Sequence, residues 1–247
     1  MNVIIFGPPG AGKGTQSNNI INDFNLKQVS TGDLLRNEIK LKTNLGNKIK
    51  STINNGNLVP DEVVNTLIEK IISDPKNFNR LIFDGYPRTL PQTYSLENLL
   101  IKFKQKVSVV LNLTVDRDII LKRIYGRIIC TKCFMIFNAY FNPSNSKNHN
   151  CDEKYLKKRT DDNSKTILNR YETYVTTTKV ILDYYKKKDY LKEINGNQEI
   201  DEIYNKIKGI LQNIRDWHYA DFLYKFPWKN LTSLNYGTYS RYQYSSK

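Results

Sequence analysis

Short apolar runs alternate with amphipathic stretches along most of the chain, a rhythm that predicts strands interleaved with helices. The clearest apolar runs cover residues 2–6, 80–84, 107–113 and 190–194, with a weaker one at 27–29. The run at 107–113 reads VSVVLNL, apolar on both faces, as a central parallel strand should be. Helices are expected to begin at Gly12, Thr31, Leu45, Asp61, Pro91, Asp116, Asn163 and Glu199. Thr31 and Asp61 suit helix N-termini, and Pro60 and Pro91 punctuate the junctions. The pattern predicts an α/β fold, a parallel sheet flanked by helices.

Two stretches break the rhythm. From about residue 128 to 162 the alternation stops, and Cys, Asn, Ser and Lys gather around Pro143, which predicts an inserted subdomain. From Trp217 onward aromatic residues crowd together without a clear period. They are expected to pack back as an extra layer or to dock a partner or a membrane surface. No internal repeat is visible.

Composition narrows the classes. With 247 residues, 39% of them hydrophobic and 25% charged, the chain can bury a core of its own and is neither collagen-like nor wholly disordered. No apolar run approaches the roughly 18 residues of a membrane-spanning helix. Three cysteines, two in a Cys-x-x-Cys pair, fit a reducing compartment better than a disulfide framework. The N-terminus carries no charged and apolar leader pattern, and Asn2 excludes N-myristoylation. A cytoplasmic location is expected, with the mitochondrial matrix as the alternative.

The net charge of +14 favours anionic partners. The basic residues are dispersed and no base-stacking motif is visible, so nucleic acid is not the expected partner.

The chemistry begins at Gly7-Pro8-Pro9-Gly10-Ala11-Gly12-Lys13-Gly14-Thr15, which follows an apolar strand and opens a helix. Glycines let successive backbone N–H groups turn onto phosphate oxygens, and the helix N-terminus adds its positive end. Lys13 is placed to reach the β- and γ-phosphates. The general pattern has Ser or Thr directly after the lysine, whereas here Gly14 intervenes before Thr15. Asp84 ends the apolar strand at 80–84, where a carboxylate can hold magnesium-bound water beside the phosphates. The predicted fold is therefore of the P-loop NTPase type.

Four separated motifs, GPPGAGKGT, STGDLLR, GNLVPDEV and DGYPRTLPQ, together resemble the adenylate kinase family of nucleoside monophosphate kinases. The resemblance runs from Met1 to about Ile214. It implies a core over 1–127 and 163–214, an AMP-binding helical region at about 31–73, and an inserted lid at 128–162. An aromatic-rich extension at 215–247 lies outside it. It further implies a monomer that moves the γ-phosphoryl of a magnesium-bound nucleoside triphosphate reversibly to AMP.

The resemblance also assigns roles. The donor would be held by Gly10, Ala11, Gly12, Lys13, Gly14, Thr15, Arg123, Arg127 and the backbone near Gln198. AMP would be held by Thr31, Gly32, Arg36, Leu58, Val59, Val64, Gly85, Arg88 and Gln92, with Arg159 and Arg170. Lys13, Arg88, Arg123, Arg159 and Arg170 would act in catalysis. Guanidinium suits such work because its fork holds two phosphate oxygens at once. Gln92 would read adenine's edge, since an amide both donates and accepts. ATP is the expected donor; a GTP:AMP phosphotransferase of an organelle is the alternative. A nucleotide-binding interaction protein without catalysis is a more distant one, and the presence of Asp84 and all the motif arginines stands against it.

Cys130, Cys133 and Cys151 fall where many bacterial relatives bind structural zinc in the lid. The expected fourth position is Lys154, whose ammonium cannot ligate. His149, Asp152 or Glu153 could substitute, giving Cys3His or Cys3Asp.

Overall fold

The computed structural model describes residues 1–145, 149–158, 162 and 164–225. The chain opens with β1 (Asn2–Phe6), α1 (Lys13–Phe24), β2 (Lys27–Ser30) and α2 (Thr31–Lys40). Two further helices, α3 (Asn44–Asn54) and α4 (Asp61–Ile72), precede β3 (Leu81–Asp84) and α5 (Leu90–Lys102). Next come β4 (Val107–Thr114) and α6 (Arg117–Tyr125). Three short strands follow, β5 (Arg127–Cys130), β6 (Ile136–Asn138) and β7 (Leu156–Lys157). The long α7 (Ser164–Lys187), β8 (Leu191–Asn195) and α8 (Ile200–Lys225) close the order.

The main sheet has the order β2-β3-β1-β4-β8, and every pair in it is parallel. Each strand and helix start expected from the sequence lies within one residue of its observed boundary. All of β1 and residues 109–113 of β4 are buried, as strands covered on both faces must be. Ile4, Phe83 and Val110 of the sheet pack with Ile68 of α4, Leu96 of α5, and Ile181 and Tyr185 of α7. Burying such side chains stabilises the fold by about 1.5–3 kcal/mol each.

Helix starts are capped by hydroxyls where the chain must turn sharply. Ser30 Oγ accepts the Asp33 N–H at 3.3 Å, Thr43 Oγ1 that of Gly46 at 2.9 Å, and Thr89 Oγ1 that of Gln92 at 3.2 Å. Helix α1 differs: its N-cap is Gly12, and no side chain caps it.

A parallel sheet brings all its carboxyl ends to one edge, which is where α/β folds bind ligands. The opposite edge is sealed by Asn2, whose Nδ2 donates to Gln105 Oε1 and to the Lys106 carbonyl, each at 3.1 Å. Its Oδ1 accepts the Leu81 N–H at 3.1 Å.

The second sheet, β6-β5-β7, is antiparallel and occupies the region where the sequence breaks its rhythm. It begins at Arg127, one residue before the expected boundary of the insertion. Contacts divide the chain into two units, Met1–Lys208 and a second beginning at Gly209. The described part of the second unit, residues 209–225, belongs to α8, so that helix runs past the point where the extension was expected to start. The expectations for residues 226–247 lie outside the described residues. Among the described residues, no helix is long and apolar enough to cross a membrane.

Candidate active site

The carboxyl edge of the main sheet opens into a cavity of about 850 Å³. Residues expected at the site from Gly10 to Gln198 converge on it. Gly10, Ala11, Gly12, Lys13, Gly14 and Thr15 form one wall, and Asp84, Gly85, Arg88 and Gln92 the floor beside it. Thr31, Gly32, Arg36, Leu58, Val59 and Val64 line the side nearest α2 and α4. Arg123, Arg127, Arg170 and Gln198 complete the set. Arg159 lies outside the described residues.

The phosphate loop joins β1 to α1, and its uncapped helix start leaves backbone N–H groups open to an anion. Lys13 Nζ donates to the carbonyls of Gly7 at 2.8 Å and Pro8 at 3.0 Å, which holds the ammonium at the loop. Register places Asp84 beside the loop, because Ile5 of β1 pairs with Asp84 of β3. Burial pushes the Asp84 carboxyl above the usual range, against the pull of Lys13 and Arg88. Gln28 Nε2 donates to Asp84 Oδ2 at 3.1 Å and orients it. An oxygen ligand under this strain, next to a phosphate cradle, fits a hard dication.

Three guanidinium groups meet across the cavity from the loop. Arg88 is open to the cavity water yet lies deep in it, and its pKa is lowered to about 10 by burial and by the nearby charges of Arg170 and Arg36. Like charges brought together in one cavity suit a site built for an anion. Arg88 Nε donates to the Gly85 carbonyl at 2.7 Å, and Thr31 Oγ1 donates to the same oxygen at 2.8 Å. Gly85 has φ +74°, and a Cβ there would stand 2.8 Å from Arg88 Nη2, so glycine lets the arginine fold back over the turn. Arg36 is paired with Asp33 at 2.6 Å.

Gln92 is buried, and its amide is already engaged. Its Oε1 accepts the Arg88 N–H at 2.7 Å, and its Nε2 donates to Asp61 Oδ1 at 2.6 Å. Gln198 turns its side chain onto α8, donating to Glu202 at 2.9 Å and accepting from Lys206 at 2.6 Å.

The small sheet faces the phosphate loop. A Cβ at Gly14 would meet the tip of the Ile136 side chain, Cδ1, at 2.9 Å, so a larger residue after Lys13 would push that side chain aside. Arg123 Nη1 donates to the Ala11 carbonyl at 3.4 Å, and its guanidinium lies 5.7 Å from the Phe141 ring centroid. Arg127 does not stand free for a ligand. It grips Asp162 through Nε at 2.7 Å and through Nη2, in a pair whose side chains are 17% and 5% exposed.

At the end of the same sheet, Cys130, Cys133, His149 and Cys151 bring one donor atom each to within 4.8 Å of one another. The Cys133 N–H donates to Cys130 Sγ at 3.4 Å, in a turn that keeps the buried Cys130 and the exposed Cys133 together. His149 packs edge-on against Phe137, with centroids 4.9 Å apart, and its buried Nε2 has no hydrogen-bond partner. Of the three open candidates for a fourth ligand, His149 alone joins the cluster; Asp152 instead pairs with Lys154 at 3.0 Å. The cluster resists three negative charges. Burial opposes the Cys130 thiolate, but hydrogen bonds from Cys133, His149 and Lys132 bring its pKa down to about 6. Burial and the neighbouring sulfurs push Cys151 up to about 11. A dication would resolve that conflict, and three thiolates with one imidazole suit tetrahedral zinc.

Sequence reasoning missed Gln28, the Asp162 partner of Arg127, and the tie from Asp61 to Gln92. Asp61 was visible only as a helix start, and Gln28 only as part of a weak strand; both act through space.

A family model described as adenylate kinase matches residues 5–190. The adenylate kinase of Pelagibacter ubique (strain HTCC1062) is 50% identical over 212 residues, covering 86% of this chain and 100% of that protein. Those of Geobacillus sp. (strain WCH70), 37% identical, and Methanothrix thermoacetophila, 39% identical, each align over 217 residues, 87% of this chain and 100% of their own. A phosphate cradle, a raised carboxyl beside it and converging guanidinium groups agree with these matches: the chain belongs to the adenylate kinase family of nucleoside monophosphate kinases.

Proposed function

We propose that the chain transfers the γ-phosphoryl of Mg-ATP reversibly to AMP, giving two molecules of ADP. The observation that carries this reading is the convergence of Arg36, Arg88 and Arg170 across one cavity from the phosphate loop. Donor and acceptor phosphates repel, and fixed cations on both sides hold them together. Arg36, Arg88 and Arg170 grip the acceptor phosphate, while Lys13 and the loop N–H groups hold the donor. Lys13 exchanges its two loop carbonyls for phosphate oxygens. Arg123, poised between Ala11 and Phe141, stabilises charge at the donor. Magnesium, when bound, neutralises the donor phosphates, and Asp84 would hold it through water.

The small sheet acts as the lid in this reading. Its Ile136 already approaches Gly14, and keeping water from the donor favours transfer over hydrolysis. Arg127 serves the donor only after leaving Asp162, so donor binding and release of that pair are linked.

ATP as donor is supported by the relatives, all named adenylate kinase. The test is initial rates with AMP and magnesium at equal ATP and GTP concentrations. ATP is expected to be faster by about tenfold or more, a single lost hydrogen-bond contact being enough. Equal or faster turnover with GTP would reassign the donor and make an organelle that forms GTP the proposed location.

Zinc in the lid is part of the proposal. The protein is expected to carry one zinc ion per chain, and its removal by a chelator to lower the thermal midpoint by roughly 5 °C. His149→Ala should lose the metal at chelator concentrations that leave the parent loaded. A metal-free protein with an unchanged midpoint would refute the Cys3His site.

A further inference from the structure

We infer that Asp61 fixes which way the Gln92 amide faces, and thereby sets the preference for a 6-aminopurine over a 6-oxopurine monophosphate. The inference rests on the proposed assignment of this pocket to AMP. A glutamine amide is nearly symmetric in shape, so only its partners decide which end is oxygen and which nitrogen. Here both partners are of one kind only. A carboxylate accepts and cannot donate, so the end at Asp61 Oδ1, 2.6 Å away, must be the NH2. A backbone N–H donates and cannot accept, so the end at Arg88 N, 2.7 Å away, must be the oxygen.

Asp61 is itself held in place. Its second oxygen accepts from Thr89 Oγ1 at 2.9 Å, and the same hydroxyl oxygen takes the Gln92 N–H at the start of α5. Tyr86 Oη bridges Asn65 of α4, at 2.7 Å, to the Gln92 carbonyl at 3.3 Å, so the two helix starts move together. Gln92 is 2% exposed, which leaves it little room to turn.

With these bonds made, the amide keeps one N–H and one oxygen lone pair for a ligand. Adenine offers a matching pair, the N1 acceptor and the N6 amino donor. Hypoxanthine offers the reverse, an N1–H donor and an O6 acceptor. A Gln92 amide turned end for end would suit it, but that turn sets an oxygen against the Asp61 carboxylate and an NH2 against the Arg88 N–H. Asp61 is therefore a positioning residue for specificity, acting through Gln92.

Asp61→Asn removes the acceptor-only half of the constraint, because its amide can present either an oxygen or an NH2 to Gln92, and it leaves the Arg88 N–H to hold the orientation. The experiment measures kcat and KM for AMP and for IMP, with ATP as donor, in the parent, Asp61→Asn and Asp61→Glu. In Asp61→Asn the AMP:IMP ratio of kcat/KM is expected to fall by about fivefold, the Arg88 N–H keeping part of the preference, and through KM rather than kcat. Asp61→Glu keeps an acceptor-only group and should retain most of the preference. A thermal midpoint and the binding of a non-hydrolysable donor analogue report folding independently of the acceptor. If Asp61→Asn does not fold, Asp61→Ser, which also donates or accepts, enters the same comparison. A purely structural role would change turnover of both acceptors alike and leave the ratio within about twofold of the parent's, which would overturn the inference. A parent that uses IMP as well as AMP would instead overturn the pocket assignment on which it rests.

Discussion

Replacing Arg88 with alanine is expected to lower turnover with AMP by about three orders of magnitude while leaving the fold intact. The guanidinium sits at the meeting point of the Gly85 turn, Arg36 and Arg170, and it supplies positive charge where two phosphates must approach. Burial and then the neighbouring arginines already press its pKa down to about 10. Removing it relieves that repulsion, so the thermal midpoint should hold or rise slightly. Arg88→Lys should recover only part of the rate, because an ammonium cannot hold two oxygens in one plane. Steady-state rates across AMP concentration, with a melting curve on each variant, make the check. Turnover within tenfold of the parent would remove Arg88 from the mechanism.

Lys13→Ala is expected to cost two to three orders of magnitude in kcat, with a much smaller loss in donor affinity. The split follows from the loop's construction. Backbone N–H groups at the start of α1 still cradle the donor phosphates when the lysine is gone, so ground-state binding largely survives. The cation that the proposed mechanism sets against the transferring phosphoryl does not. Lys13 also ties the carbonyls of Gly7 and Pro8 together, and its loss loosens the loop without touching the core. Equilibrium binding of a donor analogue beside kcat measures both halves. An equal fall in affinity and kcat/KM, with kcat unchanged, would show that Lys13 only binds.

The main sheet was readable because its central strands β1, β3 and β4 are almost wholly buried and write that burial into the sequence as apolar runs. VSVVLNL is the plainest case, and the observed β4 differs from it by one residue. The antiparallel sheet was not readable. Its strands have four, three and two residues and are mostly only half-buried, so no apolar run marks them, and pairing across a long loop sets their positions.

The site divides in the same way. Residues in contiguous motifs, such as Gly10 to Thr15 or Gly85 to Gln92, were legible because chemistry demands their spacing along the chain. Asp61 and Gln28 act on residues 31 and 56 positions away, and no local pattern reports such a tie. His149 was one of three alternatives for the same reason. Arg127 shows the opposite failure: sequence placed it correctly at the cavity but could not show that Asp162 already holds its fork.

The parallel sheet has two unlike edges, and they should age differently under mutation. At the carboxyl edge the insertion or loss of one residue in β3 would shift the Ile5–Asp84 pairing by one step and turn the carboxylate to the other face, away from the phosphate loop. At the amino edge, Asn2 and Gln105 meet demands of hydrogen bonding, to each other and to the Leu81 N–H. Drift there is limited by folding, so compensating pairs of changes are open to it that the reactive edge does not permit. A lineage of such chains would accumulate its differences from the amino edge inward.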